Sequence, residues 1–321
     1  MNTAGKVKVA VIQAKPCLFN LEASVKQTVR LISEAAAQGA KLILFPEAFI
    51  DGYPMGMHFG VSMGFATDEG KKDFARYYRN AIEFPSAEAD RIAAAAAAAN
   101  AYVVVGCVER DALNCTLYCT AAFFGPDGRF LGKHRKVKPT TAERYFWGEG
   151  DASTLTVIDT PFGKTGALIC WENNVPLLRC AMYGKGISIY LAPTMDYTDF
   201  WQISMRHIAH ESRCFLLTSI PYYSKADLPS DLNCYPEVEQ SPDWVCNGGS
   251  AIIDPFGNYL LEPMRNPAQE IGLAELNLDL LAQARFTLDV TGHYSRPDLL
   301  RLFVEESPHY ACQFYSSVPD V

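Results

Sequence analysis

The sequence predicts an α/β fold, because short strand-like segments alternate with longer helical ones along most of the chain. The runs Val7 to Gln13 and Lys41 to Phe45 are rich in β-branched and other apolar residues and have the length of strands. Between them, Leu21 to Gln38 has an amphipathic helical pattern that ends at Gly39. Alternation of this kind is typical of α/β proteins.

The middle of the chain continues the pattern and adds a hairpin. The predicted elements are, in order, a Gly- and Met-rich loop at 51–64, helices at 69–80 and 86–100, strands at 102–108 and 116–124, and a strand at 129–131. The turn sequence Gly125-Pro-Asp-Gly128 separates the last two strands and favours a hairpin. A basic loop is predicted at 133–150.

The second half repeats the alternation. The predicted elements are strands at 166–170, 187–192 and 214–220, helices at 175–183 and 200–212, and a hairpin of 249–253 with 259–262. No Pro/Gly/Ser-rich linker separates two bodies, so we predict a single domain over residues 1–290. Residues 291–321 lack clear periodicity, and we expect this C-terminal tail to contact a neighbouring subunit.

Composition excludes several classes of partner. The 321 residues include 36 acidic and 28 basic side chains, for a net charge of −8, which argues against nucleic acid or an anionic membrane surface. No apolar run approaches the ~20 residues that a membrane span needs. A small, neutral or weakly charged substrate fits this composition better.

The ten cysteines follow no disulfide framework, which predicts free thiols in a reducing compartment. No second pair with zinc-ligand spacing accompanies Cys115 and Cys119, so we expect no metal site. The first residues lack the apolar core of a signal peptide. We therefore expect a cytoplasmic protein.

Three residues of different chemistry follow predicted strands or loops. Cys170 closes the apolar run Gly166 to Cys170, where open α/β sheets place their chemistry. A thiol has a pKa of ~8.5 and needs activation, which a partly desolvated carboxylate such as Glu47 can provide. A lysine such as Lys136 can stabilise the anion that develops, with the backbone N–H of Trp171 as a second donor.

Other assignments are open from the residues alone. Lys138 stands two residues from Lys136 and would face the same side of an extended loop. His207 and His210 lie on one predicted helix and raise the alternative of a Cys–His hydrolase, although helix packing or capping explains them better. A dinucleotide-binding enzyme is set aside, because no Gly-x-Gly-x-x-Gly follows a strand.

Several motifs, in a fixed order along the chain, indicate a protein family. These are Phe45-Pro-Glu-Ala-Phe-Ile-Asp-Gly-Tyr-Pro54, His134-Arg-Lys-Val-Lys-Pro-Thr-Thr-Ala-Glu-Arg144, Trp147-Gly-Glu-Gly-Asp151, Cys170-Trp-Glu-Asn173, Ala192-Pro-Thr194 and Gly292-His-Tyr-Ser-Arg-Pro-Asp298. Together they resemble the nitrilase branch of the nitrilase (carbon–nitrogen hydrolase) superfamily, from about Val7 to Asp298. The resemblance implies a four-layer α-β-β-α sandwich.

The resemblance also implies roles for individual residues. Glu47 would be the general base, Lys136 the cationic stabiliser and Cys170 the nucleophile. Glu143 matches a second glutamate of the family's sites, and we expect it to orient Lys136 and water. The implied substrate-binding residues are Tyr53, Trp147, Trp171 and Thr194.

The implied activity is hydrolysis of an organic nitrile to a carboxylic acid and ammonia through a cysteine thioimidate and thioester, with no metal or organic cofactor. The alternatives are an amidase or carbamoylase of the same superfamily, and a catalytically silent assembly protein on this fold. The segment Cys170-Trp-Glu-Asn173 disfavours the amidase. The resemblance further implies a homo-oligomer, either a dimer or a larger spiral assembly.

Overall fold

A computed structural model describes residues 5–312 of the chain. Its α-helices are α1 (Leu21–Ala37), α2 (Asp68–Asn80), α3 (Ala87–Ala99), α4 (Pro176–Gly184), α5 (Asp199–Ser212), α6 (Tyr235–Gln240) and α7 (Asp279–Thr287). Four of them begin with a polar side chain that accepts a hydrogen bond from the backbone N–H three residues later. These N-caps are Asn20, Thr67, Ser86 and Thr198. Such caps satisfy a donor that has no partner within the helix.

The strands lie mainly in two sheets. In chain order they are β1 (Lys6–Ile12), β2 (Cys17–Leu18), β3 (Leu42–Leu44), β4 (Ile50–Asp51), β5 (Val61–Ser62), β6 (Phe65–Ala66), β7 (Tyr102–Arg110), β8 (Leu117–Phe124), β9 (Phe130–Arg135), β10 (Val157–Thr160), β11 (Gly163–Ala167), β12 (Ile189–Pro193), β13 (Phe215–Ser219), β14 (Tyr222–Ser224), β15 (Val245–Asn247), β16 (Ala251–Ile253), β17 (Tyr259–Leu261) and β18 (Ile271–Asn277). The first sheet has the order β18-β1-β3-β7-β4-β2, with β8 and β9 continuing from β7. The second has the order β10-β11-β12-β13-β16-β17.

Side chains of the first sheet alternate between two cores. Val9 and Val11 of β1 belong to a core shared with the second sheet, whereas Ala10 and Ile12 pack against α1 and α3. This is the period of two that a strand imposes. Apolar residues of α4 and α5, including Met182 and Met205, complete the core on the second sheet. The result is a helix–sheet–sheet–helix sandwich, as the resemblance implied.

The carboxyl ends of the parallel strands in the two sheets lie on the same side of the sandwich. The central strands β1, β3 and β7 are parallel, and so are β11, β12 and β13. Strand β9 runs in the direction of β7, because each is antiparallel to β8. Hydrogen bonds join the segments that follow β3, β9, β11 and β12, so these segments meet between the sheets, where open α/β folds place their sites.

Two predicted elements differ from the structure. The strand predicted at 166–170 is β11, which ends three residues before Cys170, and Cys170 instead begins a 3-10 turn with a left-handed φ of 51°. The strand predicted at 129–131 extends to Arg135, so the basic loop begins later than expected. Lys133 and Arg135 pair with the buried Glu109 across the sheet, which allows charged residues to stay in a strand.

The C-terminal tail lies on the surface of its own chain as far as residue 312. It contains no helix or strand between residues 291 and 312. Glu306 forms an ion pair with Lys185, and the backbone N–H of His309 donates to Asp151 Oδ2 over 2.9 Å. The rest of the predicted tail, residues 313–321, lies outside the described residues. Among residues 5–312, no helix has both the length and the apolar character to cross a membrane.

Candidate active site

Glu47 is buried between the two sheets just after β3. Its Oε1 accepts hydrogen bonds from Lys136 Nζ at 2.7 Å and from Cys119 Sγ at 3.4 Å, and its Oε2 accepts one from Met195 N at 3.0 Å. A glycine on the neighbouring strand permits this position. A Cβ on Gly106 would lie 1.9 Å from Pro46 O and 2.8 Å from Glu47 Cα, so only glycine fits there without a shift.

Lys136 is fully buried and bridges two carboxylates. It directly follows β9, and its backbone N–H donates to Cys119 O over 2.8 Å. Its Nζ donates to Glu47 Oε1 at 2.7 Å and to Glu143 Oε2 at 2.8 Å. Burial alone would lower the pKa of Lys136, but the negative charges around it, above all that of Glu47, raise this pKa well above its ordinary value. The surrounding carboxylates therefore favour the charged form of the lysine.

Glu143 lies in a 3-10 turn, Thr141–Tyr145, whose N-cap is Thr140. Its Oε2 accepts from Thr140 N at 2.6 Å as well as from Lys136, and its Oε1 accepts from Tyr53 Oη at 2.7 Å. Three donors therefore hold this carboxylate. The second glutamate stands next to Lys136, where the resemblance placed it.

Cys170 begins a 3-10 turn, Cys170–Asn174, in a strained backbone conformation. Its φ of 51° is rare for a residue with a Cβ and costs roughly 1–3 kcal/mol, so the surroundings must stabilise it. Asn173 does so, because its Nδ2 donates to Cys170 O at 2.8 Å and to Leu168 O at 3.0 Å. Tyr190 Oη in turn donates to Asn173 Oδ1 over 2.7 Å.

The electrostatics of the site favour a neutral thiol at rest. Burial raises the pKa of Cys170, and the charge of Glu47 raises it further, while Lys136 and a hydrogen bond with Thr194 lower it. Burial also raises the pKa of Glu47, against the opposing charge of Lys136. A carboxylate whose pKa is raised is a stronger base, which is what removal of a thiol proton requires.

The predicted pocket residues divide into two groups. The Tyr53 ring packs edge-on against Trp147, with centroids 5.4 Å apart, and both residues adjoin Glu143. Thr194 is buried beside the Cys170 thiol, whose pKa it lowers. Trp171, in contrast, is 50% exposed, and its Nε1 donates to Asp196 Oδ2 over 2.9 Å. Its indole therefore lies at the rim of the site.

The residues of the open alternatives differ in burial and contacts. Lys138 is exposed and pairs with Glu149, whereas Lys136 is buried with Glu47. His207 and His210 are exposed on α5, and His207 lies 3.4 Å from Glu211 on the same helix. Neither histidine takes part in the network around Cys170, so a Cys–His arrangement is not formed.

Sequence reasoning missed several residues that hold the site. Cys119 contacts Glu47 from the middle of β8, and its position in an apolar strand indicated only packing. His134 and Glu172 form a buried pair with Nε2 and Oε2 2.9 Å apart. Alternation along β9 offered one signal, since His134 and Lys136 are two residues apart and point to the same side.

The site between the two sheets places a buried cysteine near a buried lysine that bonds two glutamates. A family model described as carbon–nitrogen hydrolase matches residues 8–286 of the chain. The chain therefore belongs to the carbon–nitrogen hydrolase family.

Relatives with nitrilase names cover nearly the whole chain. A bifunctional nitrilase/nitrile hydratase, NIT4A of Lupinus angustifolius, is 47% identical over 318 residues, which are 98% of this chain and 90% of the relative. An aliphatic nitrilase of Sinorhizobium fredii is 47% identical over 307 residues, 95% of this chain and 98% of the relative. The resemblance to nitrilases drawn from the motifs is confirmed.

Solved structures confirm the fold. Saccharomyces cerevisiae Nit3, a member of branch 10 of the nitrilase superfamily, superposes with a TM-score of 0.71 at 23% identity, covering 92% of this chain and 98% of that protein. An amidase from a Nesterenkonia species gives a TM-score of 0.62 at 18% identity, covering 89% of this chain and 96% of that protein. The predicted superfamily sandwich is therefore correct.

Proposed function

We propose that this protein is a nitrilase, which hydrolyses an organic nitrile to the carboxylic acid and ammonia with Cys170 as the nucleophile. One observation carries the proposal: a buried lysine, bonded to two glutamates at 2.7 and 2.8 Å, shares the site with a buried thiol on a strained turn. The identity of 44–47% to proteins named nitrilases supports the choice of substrate class.

The first step forms a covalent bond between sulfur and carbon. Glu47 takes the thiol proton as Cys170 Sγ attacks the nitrile carbon, and the nitrile nitrogen receives a proton to give a thioimidate. Lys136 would stabilise the negative charge that develops on nitrogen, a contribution of ~3–4 kcal/mol for donors of this kind. The N–H of Trp171, which follows Cys170 in the turn, is proposed as a second donor.

The second step consumes two water molecules. One, activated by Glu47, adds to the thioimidate carbon, and the tetrahedral intermediate releases ammonia and leaves a thioester. The other cleaves the thioester, so that the acid leaves and the thiol is restored. Glu143 orients Lys136 and water during these steps. None of them needs a metal or an organic cofactor.

The tetrahedral intermediate has a second possible outcome. If the carbon–sulfur bond breaks before ammonia leaves, the product is an amide. The relatives named bifunctional nitrilase/nitrile hydratase make this product worth measuring. Ammonia, acid and amide should therefore be quantified together across aliphatic, aromatic, arylacetic and amino-acid nitriles.

The test of the proposed nucleophile is Cys170→Ala. The variant should release no ammonia from any nitrile that the wild type accepts, whereas Cys180→Ala, at an exposed thiol, should keep wild-type turnover. Substantial turnover by Cys170→Ala would overturn the assignment.

An amidase activity is the main rival, since the Nesterenkonia amidase shares the fold. Wild-type protein should be given a nitrile and the matching amide side by side. We expect the nitrile to react faster, and a large preference for the amide would contradict the proposal.

We also propose a cytoplasmic homo-oligomer in which the tail contacts a neighbouring subunit. Exposed apolar residues of the tail, such as Leu300 and Phe303, support this contact, and ten free thiols suit a reducing compartment. Light scattering of the full chain and of a chain that ends at Pro297 tests the tail. An unchanged mass would refute its role.

The remaining pocket assignments are part of the same proposal. Tyr53, Trp147, Trp171 and Thr194 would contact the substrate, with the first two forming an aromatic wall beside Glu143. The domain over residues 1–290 would fold as one body. The positions of these four residues in or beside the site between the sheets support their assignment.

A further inference from the structure

A buried carboxylate links the two halves of the catalytic machinery without being one of the proposed catalytic groups. Glu172 Oε2 accepts from Ile169 N at 2.7 Å, immediately before Cys170. Its Oε1 accepts from Val137 N, immediately after Lys136. One side chain therefore bonds the backbone next to the nucleophile and the backbone next to the cation.

These two backbone segments belong to different sheets. Lys136 follows β9 of the first sheet, and Cys170 follows β11 of the second. Apolar packing between sheets has little directional preference. Directional hydrogen bonds to a single buried carboxylate define the relative position of the two segments much more closely.

His134 completes this link as the counter-ion of Glu172. Its Nε2 lies 2.9 Å from Glu172 Oε2, and its Nδ1 lies 3.0 Å from the carbonyl oxygen of Thr154. The Thr154 carbonyl only accepts, so Nδ1 carries hydrogen, and with an ionised Glu172 as the second acceptor Nε2 carries hydrogen too and the imidazole is a cation. The charge of Glu172 is therefore compensated in a site from which water is excluded.

We propose that Glu172 is a positioning residue that sets the distance between Cys170 Sγ and Lys136 Nζ, with His134 as its partner. The proposal rests on the proposed nitrilase function, in which the lysine must face the atoms that the sulfur attacks. A misplacement of about 1 Å can cost on the order of 100-fold in rate, so the link has a large effect on turnover.

The first test is Glu172→Gln, which keeps the size of the side chain but places an amide NH2 group where only acceptors fit. We expect kcat to fall about 30- to 100-fold with KM within about threefold, because the substrate pocket is kept and the reacting groups are displaced. Iodoacetamide should alkylate Cys170 more slowly in Glu172→Gln than in the wild type, and the pH dependence of that rate should change. The rate is measured on the Cys170 peptide by mass spectrometry.

Asp73→Asn is the matched control for loss of a buried acceptor. Asp73 is buried on α2 and accepts from Asn233 Nδ2 at 2.7 Å and Cys234 N at 2.6 Å, away from the catalytic groups. It should lose stability as Glu172→Gln does but keep kcat within about twofold of the wild type once the folded fraction is counted. Equal losses of kcat in the two folded variants would overturn the proposal.

Two substitutions of His134 test the link even if Glu172→Gln does not fold. Glutamine places an amide nitrogen near the position of Nε2, and asparagine places one near Nδ1, while both remove the charge. We therefore expect His134→Gln to keep kcat within about fivefold of the wild type and His134→Asn to lose about 30- to 100-fold. Equal kcat values for the two variants would refute the proposal.

The alkylation readout separates this proposal from the proposed function. If wild-type protein hydrolyses no nitrile but Glu172→Gln still slows alkylation of Cys170, the positioning role stands and the nitrilase function fails. If the wild type is active and Glu172→Gln keeps more than a third of wild-type kcat, the positioning role fails alone.

Discussion

Lys136 and Glu143 form a buried ion pair, with Nζ 2.8 Å from Oε2, although Lys136 already bonds Glu47 at 2.7 Å. Two carboxylates thus share one lysine in a water-excluded site. The two carboxylates accept two of the three N–H groups of Lys136. They therefore fix the direction in which its third N–H points.

Glu143→Gln should lower kcat by about 10- to 100-fold and change KM little. The amide keeps the shape of the side chain but weakens the hold on Lys136 and turns one acceptor into a donor. Steady-state ammonia release measures the effect. Glu149→Gln, at an exposed carboxylate, is the control, and equal activity of the two variants would contradict the prediction.

Tyr53→Phe should lower kcat about tenfold, because it removes the 2.7 Å hydrogen bond to Glu143 and keeps the ring that packs on Trp147. A hydrogen bond to a charged group contributes about 1.5–3 kcal/mol. Tyr145→Phe, at an exposed tyrosine, should be neutral. A rise in KM without loss of kcat would show instead that the hydroxyl contacts only the substrate.

Gly106→Ala should unfold or inactivate the protein. The added Cβ would lie 1.9 Å from Pro46 O, and relief of that overlap moves Glu47 and costs about 1–3 kcal/mol or more. Gly184→Ala, at the end of α4, adds a methyl group that has no atom within 4 Å and should be at least as stable as the wild type. Urea unfolding measures the stability of both variants, and ammonia release measures their activity. A stable and active Gly106→Ala protein would refute the prediction.

Stability should fall as pH rises through the titration of His134. Burial lowers the pKa of His134, but the charge of Glu172 and hydrogen bonds to Glu172 and Thr154 raise it above 6.5 overall. A pKa raised on folding contributes stability that is complete below the unfolded value and is lost as pH rises through the folded value. Urea midpoints from pH 6 to pH 9 should therefore fall more steeply for the wild type than for His134→Gln. Parallel curves would contradict the assignment.

Part of the candidate site could be predicted from local sequence patterns. Glu47 and Cys170 each follow an apolar run, and such runs are recognisable from a few neighbouring residues, whereas Lys136 follows the basic end of β9 and was recognised by its motif. Their convergence follows from parallel strands, whose carboxyl ends share one side. The choice of Lys136 over Lys138 rested on the motif resemblance, and the structure gives its physical reason: only Lys136 reaches Glu47, which lies 89 positions away in the chain.

The supporting residues depended on contacts that no local pattern contains. Cys119 looks like any thiol in an apolar strand until the sheet brings it 3.4 Å from Glu47. Cys170 was predicted to end a strand because its neighbours are apolar, yet Asn173 and Tyr190 hold it in a left-handed turn. Backbone geometry at such a point is set by hydrogen bonds between distant segments.

The sequence by itself determined the α/β alternation, the family and the identity of the proposed catalytic groups, because these depend on residue type, spacing and order. Only the tertiary structure decided which groups lie within hydrogen-bond or ion-pair distance of one another. The link from Glu172 to His134 joins two sheets through residues 38 positions apart. Such a link forms only when both sheets are packed, because a buried carboxylate is stable only where its donors and counter-ion arrive together.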